Sequence, residues 1–412
     1  MASSSSLVTG LDIGTSSIKV VIGARTEDGG VDIIGVGSAP SRGLRKGVVV
    51  NIESTVSAIA KAMSQAESMG ACEVSSVIAS ISGSHIRSQN SHGIVAVKNN
   101  EVSVADIEKV IEAARAVALP LDREILHVLP QEFIVDEQDG VRDPIGMSGV
   151  RLEVNVHLLT GAIASGQNVV KCANRCGLSV RDIIASPLAS GAAAVSEEEQ
   201  ELGVLVVDIG GGTTGLSVFH AGGVHYTHVL PVGGNHITND IAAGLRTPVA
   251  SAERIKCDYG AVCVAGASLN DIIEVPSVGG RQPRVLSKSI LSDIIEPRVT
   301  EIISLVQHHV VKAGCADMLI GGVVLTGGSA NLPGLTQMAE QALNLPVRAA
   351  GEFEVNGLKD LVRAPEYATA VGLVRQGCSA SQIRGRKIDS RQFGGALGTT
   401  MRKFAGWFAE HF

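Results

Sequence analysis

An apolar run, an Asp-Ile-Gly triplet, a turn rich in Gly, Ser and Thr, and a second apolar run occur twice in this chain, at residues 7–22 and again at 204–219. Each copy reads as a β-hairpin with an acidic side chain just before the tip. A unit that returns so far along a chain implies two halves of related fold. Such a turn also has a chemistry. Its backbone N–H groups form a concavity that suits phosphate oxygens, and glycine lets a ligand come close to the backbone. In the first copy Gly14, Thr15 and Ser16 form the turn, and Lys19 follows as a point charge able to meet a phosphate. In the second the turn is Gly210, Gly211, Gly212, Thr213 and Thr214. Asp12 and Asp208 then face each other across a cleft. Mg2+ keeps most of its waters, so two carboxylates can hold it through water while the ion binds a nucleotide's phosphates. One such hairpin alone reads as a glycine turn with a capping Asp; the matched pair points to a nucleotide.

A third segment, residues 325–334, follows a buried strand and opens a helix. Its Gly327 and Gly328 would let a flat base or ribose lie against the backbone, and the helix N-terminus favours an anion. By itself a strand-Gly-Gly-helix turn is as often plain structure.

Composition narrows the class. The 412 residues are 45% apolar but only 3% aromatic, so the core must be Val, Ile, Leu and Ala. That suits α/β architecture, whose buried parallel strands read as β-branched runs. A net charge of −7 argues against a nucleic-acid binder. The charge is uneven: from residue 375 onward seven Lys and Arg face only Asp389 and Glu410. A basic tail on an acidic body suggests an electrostatic partner of its own. Seven scattered cysteines match no metal spacing and read as free thiols of a reducing compartment. The N-terminus lacks the features of a secretory signal, and no apolar stretch is long enough to span a bilayer.

Helical periodicity runs over residues 52–69, 101–118, 166–176, 291–311 and 334–343, and Pro297 predicts a break or kink in the fourth. Residues 74–82 and 320–326 read as buried strands. Leu152, Val154, Val156 and Leu158 alternate with Glu153, Asn155 and His157, the pattern of a half-exposed strand. Residues 377–396 are polar and rich in Gly, Ser and Arg, as in a flexible linker. Beyond it Leu397, Met401, Phe404, Ala405, Phe408 and Phe412 share one helical stripe, bordered by Trp407, with Arg402 at its flank and Lys403 opposite. Docking on the protein's own core is one reading, which the linker disfavours. The other is an interfacial helix, apolar face in the acyl boundary and Arg and Lys on anionic headgroups. One such helix binds weakly and reversibly; many on a filament would bind by avidity.

The two hairpins and the Gly-Gly turn, in this order and spacing, resemble the actin, heat-shock chaperone and sugar kinase superfamily. Within it the chain resembles the FtsA family of bacterial cell-division proteins over nearly its whole length. The more specific marks are Leu129-Pro130-Gln131-Glu132-Phe133 with residues 143–152, then Ile295-Glu296-Pro297-Arg298, and the short amphipathic helix that ends the chain. The resemblance implies two actin-like halves, each of ribonuclease H-like fold. Subdomain 1A would take residues 1–83 and 162–196, an inserted subdomain 1C residues 84–161, subdomain 2A residues 197–235 and 316–376, and subdomain 2B residues 236–315. A linker at 377–396 and a membrane-targeting helix at 397–412 would follow.

The resemblance further implies ATP and Mg2+ between the halves. Asp12, Gly14, Thr15, Ser16 and Lys19 would serve one phosphate site and Asp208, Gly210, Gly211, Gly212, Thr213 and Thr214 the other. Gly327, Gly328, Ser329 and Asn331 would meet adenosine, and Glu253 and Lys256 would lie near ribose and base. It implies actin-like protofilaments on the cytoplasmic face of the inner membrane at the division septum, and recruitment of later division proteins through 1C. It also implies capture of the C-terminal peptide of the tubulin-like protein FtsZ, with Arg284, Arg298 and Glu301 at the implicated positions. Ser186 stands where active relatives carry the Gln or Glu that orients water, and a hydroxyl is a poor base, so hydrolysis should be slow or absent. A pilus-assembly scaffold of related fold is the main alternative; a metabolic kinase and a chaperone lack their marks here.

Overall fold

The computed structural model describes residues 7–26, 29–262, 271–279 and 281–385. In chain order it opens with β1 (Leu7–Ile13), β2 (Ser17–Arg25), β3 (Val31–Pro40), a small hairpin of β4 (Leu44–Arg45) and β5 (Val48–Val49), α1 (Ile52–Gly70) and β6 (Ser76–Ile81). An insertion follows: β7 (Arg87–Ala96), α2 (Val104–Arg115), β8 (Arg123–Val135), β9 (Gln138–Val141) and β10 (Arg151–Ala162). The chain then returns with α3 (Ile163–Arg175), β11 (Ser179–Ala185) and α4 (Ser186–Ala194). The second half begins with α5 (Glu197–Leu202), β12 (Val204–Ile209), β13 (Thr214–His220), β14 (Gly223–Leu230), α6 (Gly234–Gly244) and α7 (Val249–Tyr259). It continues with β15 (Ile272–Val275), β16 (Arg284–Ser287), α8 (Lys288–Lys312), β17 (Val323–Thr326), α9 (Leu335–Leu343), β18 (Val347–Ala349), β19 (Asn356–Gly357) and α10 (Ala368–Gly385).

The two halves repeat one plan. A six-stranded sheet has the order β11-β6-β1-β2-β3-β19, and a five-stranded sheet the order β14-β13-β12-β17-β18. In each, a central antiparallel hairpin (β1–β2, β12–β13) is flanked by a parallel strand, β6 or β17. The all-apolar strands are buried on both faces, which is why they do not alternate. Along β12, Val204 and Val206 pack into the core shared with the first half, while Leu205, Val207 and Ile209 face a second core beneath α6–α9. Helices α4 and α10 cross between the halves, and small residues set how close they come. A Cβ on Gly372 would sit 1.7 Å from the carbonyl oxygen of Ala189.

Local signals account for the helices. Asn51 caps α1 by accepting from Ser54 N, and Ala58, Ile59, Ala62, Met63 and Ala66 form its buried stripe. Ser103 and Asp106 form a capping box on α2. The insertion has its own sheet, ordered β7-β10-β8-β9, and its own small core under α2. Its open face docks on β14: Ser88 Oγ donates to Thr227 O (2.6 Å), and His157 Nε2 meets Thr227 Oγ1 at 3.2 Å.

Three expectations change. His157 is buried, because β14 covers the face that alternation alone assigned to solvent. Helix α8 runs unbroken through Pro297, its apolar side held in the second core. Helix α10 continues past residue 377 to Gly385, where a linker was expected. Its small and polar residues hide a packed face, for a Cβ on Gly377 would lie 2.4 Å from Ile78 Cδ1, and Cys378 is buried. Residues 386–396, and Leu397, Met401, Arg402, Lys403, Phe404, Trp407, Phe408 and Phe412, lie outside the described residues.

Candidate functional site: a cleft between two hairpin turns

Register places the acidic residues. Strands β1 and β2 pair from Leu7↔Ala24 to Ile13↔Ile18, leaving residues 14–16 as the turn. Strands β12 and β13 pair from Val204↔Phe219 to Ile209↔Thr214, leaving residues 210–213. Both turns open into one cavity, lined among others by Asp12, Gly14, Thr15, Ser16, Lys19, Asp208, Gly210, Gly211, Thr213, Gly327 and Gly328. The N–H groups of residues 14–16 and 211–213 donate to no protein acceptor among the described residues. Two concavities of free N–H donors thus share a cavity with two carboxylates, which is an anion site beside a cation site.

Both carboxylates are half-buried and held. Asp12 Oδ1 accepts from Ser80 Oγ at 2.8 Å, and Ser80 Oγ in turn accepts from Ile13 N at 2.8 Å. Asp208 Oδ2 accepts from Thr369 Oγ1 at 3.2 Å. Burial pushes the Asp12 carboxyl above its usual range, against the pull of Lys19 and Ser80. Burial, and then repulsion from Asp12, push Asp208 up to about 6. Two close carboxylates that resist sharing negative charge make a ready setting for a cation. Lys19 Nζ donates to Ser17 Oγ (2.8 Å) and lies 5.5 Å from the centre of the Tyr367 ring.

Thr214 departs from expectation. It is the first residue of β13, fully buried, and its hydroxyl donates to Val232 O at 2.9 Å instead of facing the cavity. Gly212 sits at the seam between the turns, where a Cβ would lie 2.7 Å from Thr15 Oγ1. Gly327 has φ of +80°, and a Cβ there would lie 2.4 Å from Asp208 Oδ1, so side chain and carboxylate could not coexist. The segment after it is a 3-10 turn, Gly328–Asn331, and α9 starts only at Leu335, so the Gly-Gly pair does not open the helix.

Ser329, Asn331, Glu253 and Lys256 are not among the lining residues. Lys256 Nζ bonds Glu253 Oε2 (2.8 Å), Thr238 Oγ1 (2.9 Å) and Gly234 O (3.3 Å), and Gly234 N bonds Gly210 O (2.9 Å), so the pair abuts the second turn. Burial works against the Glu253 charge, but the Lys256 ammonium and the Thr238 hydroxyl outweigh it and hold the carboxyl below its usual range. Ser329 borders the same spot, its Oγ 2.6 Å from where a Gly234 Cβ would stand. Asn331 Nδ2 donates to Glu366 Oε2 at 2.7 Å, and Glu366 does line the cavity.

Sequence reasoning missed Gly47, Ser82, Pro365, Glu366 and Thr369, all in the lining. The signal available was Pro365, a residue suited to the first position of a helical turn; it begins a short 3-10 turn that leads into α10, whose Thr369 donates to Asp208. Ser186 also lines the cavity, and its hydroxyl donates to Ile81 O at 3.2 Å. Away from the cleft, Arg298 forks onto Asp240 (Nε to Oδ2 2.6 Å, a second nitrogen to Oδ1 3.0 Å) and also bonds Glu301. Arg284 bonds the carbonyl of Leu245.

Two halves with matching hairpins and an inserted domain define a class. The chain is similar to the PilM-PilN type IV pilus biogenesis complex, at 18% identity and TM-score 0.65, over 90% of this chain and 98% of that one. It is also similar to MreB5 of Spiroplasma citri bound to ADP, at 14% identity and TM-score 0.54, over 89% of this chain and 94% of that one. The fold is therefore that of the actin-like two-domain ATPases. Family descriptions then match in two places: "Cell division protein FtsA" over residues 205–372 and "SHS2 domain inserted in FTSA" over residues 83–160. Cell division protein FtsA of Pseudomonas aeruginosa is 48% identical over 374 residues, 91% of this chain and 90% of that protein. That of Escherichia coli K12 is 40% identical over 413 residues, 98% of each. The chain belongs to the cell division protein FtsA family.

Proposed function

We propose that the cleft binds ATP with Mg2+ and that the chain is a nucleotide-dependent membrane tether of the division machinery. The observation that supports this most is the meeting of Asp12 and Asp208 in one cavity with two turns of free N–H donors. The turn N–H groups, the hydroxyls of Thr15, Ser16 and Thr213, and Lys19 would receive the phosphates. Asp12 and Asp208 would hold waters of the Mg2+, whose charge offsets that of the phosphates. Gly327 and Gly328 would back the adenosine, Asn331 would face it beside Glu366, and Ser329, Glu253 and Lys256 would border the ribose from the second turn. With Ser186 bonded to a carbonyl and no amide or acid in its place, turnover stays below about 1 s⁻¹, the low end of ordinary enzymes.

The further proposals follow the family. Copies of the chain associate into actin-like protofilaments on the cytoplasmic face of the inner membrane at the septum. The second half captures the FtsZ C-terminal peptide, and the insertion contacts later division proteins. At Arg284, Arg298 and Glu301 the geometry adds a condition: the Arg298 fork is engaged by Asp240, so an acidic peptide must displace or share that carboxylate. The pilus-scaffold reading draws support from the fold similarity alone, and the 40–48% identities favour division.

Flotation with anionic liposomes tests the tether. The intact chain should float and a chain ending at Arg391 should not, with Mg-ATP increasing the floated fraction through avidity. Equal flotation of both, or none, contradicts it.

A further inference from the structure

The hydroxyls offered to phosphate are also bonded across the cleft. Ser16 Oγ donates to Asn235 Oδ1 at 3.0 Å, from the first half to the second. Ser82 Oγ and Thr213 Oγ1 lie 3.3 Å apart, again one from each half. Asn235 spans both turns at once, for its backbone N donates to Gly211 O at 2.7 Å while its side chain takes the Ser16 proton. It occupies the first turn of α6, whose position is fixed by Gly234 N bonding Gly210 O at 2.9 Å. The turns are tightly engaged here: a Cβ on Gly211 would stand 1.9 Å from Ser16 Oγ.

A serine hydroxyl has one proton to give. Given to Asn235, it is not available to a phosphate oxygen. We infer that Asn235 is a positioning residue that competes with the nucleotide's phosphates for the Ser16 hydroxyl, so that phosphate binding is coupled to the bond between the two halves. Ser82 does the same at Thr213 in the configuration where Thr213 donates. This rests on the nucleotide reading of the cleft, and it gives a sign opposite to that of an ordinary ligand residue. Removing a ligand weakens binding. Removing a competitor strengthens it, by about the three- to tenfold that one hydrogen bond of ordinary net strength represents.

The test is titration of the intact chain with mant-ATP and Mg2+, for wild type, Asn235→Ala, Ser16→Ala and the double variant. Asn235→Ala should bind about three- to tenfold more tightly, Ser16→Ala more weakly, and the double variant should match Ser16→Ala, because the gain passes through the Ser16 proton. Weaker or unchanged binding by Asn235→Ala overturns the inference, as does a gain that persists in the double variant. Should Asn235→Ala not fold, Ser82→Ala against Ser82→Thr decides: tighter binding by Ala alone supports the competition, and equal affinities refute it. Wild type that binds no mant-ATP sinks the nucleotide reading itself, whereas binding without these differences sinks only the competition.

Discussion

In the first hairpin Asp12 lies in register with Lys19; in the second, Asp208 lies in register with Gly215. The two acids thus occupy equivalent places in nearly equivalent sequences, yet one has a cation across the strand pair and the other has none. The reason is packing. A Cβ at Gly215 would lie 2.8 Å from Pro187 Cγ, because α4 passes directly over the second hairpin on its way between the halves. Helix α10 packs on the first hairpin too, where a Cβ on Gly10 would lie 2.5 Å from Ala370 O, but it leaves Lys19 room to extend to the Tyr367 ring. The repeat therefore supplies two similar phosphate cradles, while the crossing helix makes their electrostatics unequal. Desolvation, and then repulsion from Asp12, push Asp208 up to about 6, with Lys19 the smallest of the pulls that lower it.

The largest expected effect tests what the pair shares. Asp12→Ala and Asp208→Ala should each lower Mg-dependent ATP affinity about 10–100-fold, the usual cost of losing an outer-sphere partner of a metal, as read by calorimetry. Loss at only one of them would break the equivalence of the hairpins. The next tests the packing account. Gly215→Lys, which restores the sequence symmetry, should destabilise the fold by about 1–3 kcal/mol through overpacking against Pro187, measured by the denaturant midpoint. Unchanged stability would mean that α4 does not dictate the asymmetry.

The smallest tests the electrostatics. A carboxyl raised in the folded state is favoured protonated, so its contribution to stability is full below the ordinary Asp value and is lost as pH rises. For Asp208 that loss should fall between about pH 4 and about pH 6 in Mg-free solution. Asp12→Asn removes the repulsion, lowers the Asp208 value and narrows that window. A denaturation series over pH 4–7 that looks the same for wild type and Asp12→Asn would contradict the coupling.

The hairpins were legible because an Asp, a small-residue turn and two apolar strands occupy consecutive positions, so local pattern and site coincide. What was hidden depends on distant packing. Thr214 reads like Thr213, but register puts it inside β13 with its hydroxyl on Val232. Thr369 reads as an ordinary helix residue until packing brings the start of α10 up to Asp208, to which its hydroxyl donates. The end of α10 looked like a linker because glycines and cysteines at tight contacts carry little apolar signal. The polar seam between the insertion and β14 was invisible for the converse reason: its buried His157 has the residue type of an exposed position.

The central claim is that the two carboxylate hairpins form one Mg-nucleotide site. Calorimetric titration of the intact chain with ATP, in Mg2+ and again in excess EDTA, tests it most directly. The account predicts saturable binding that weakens about tenfold or more when Mg2+ is chelated; equal affinity in both buffers, or no binding in either, would contradict it.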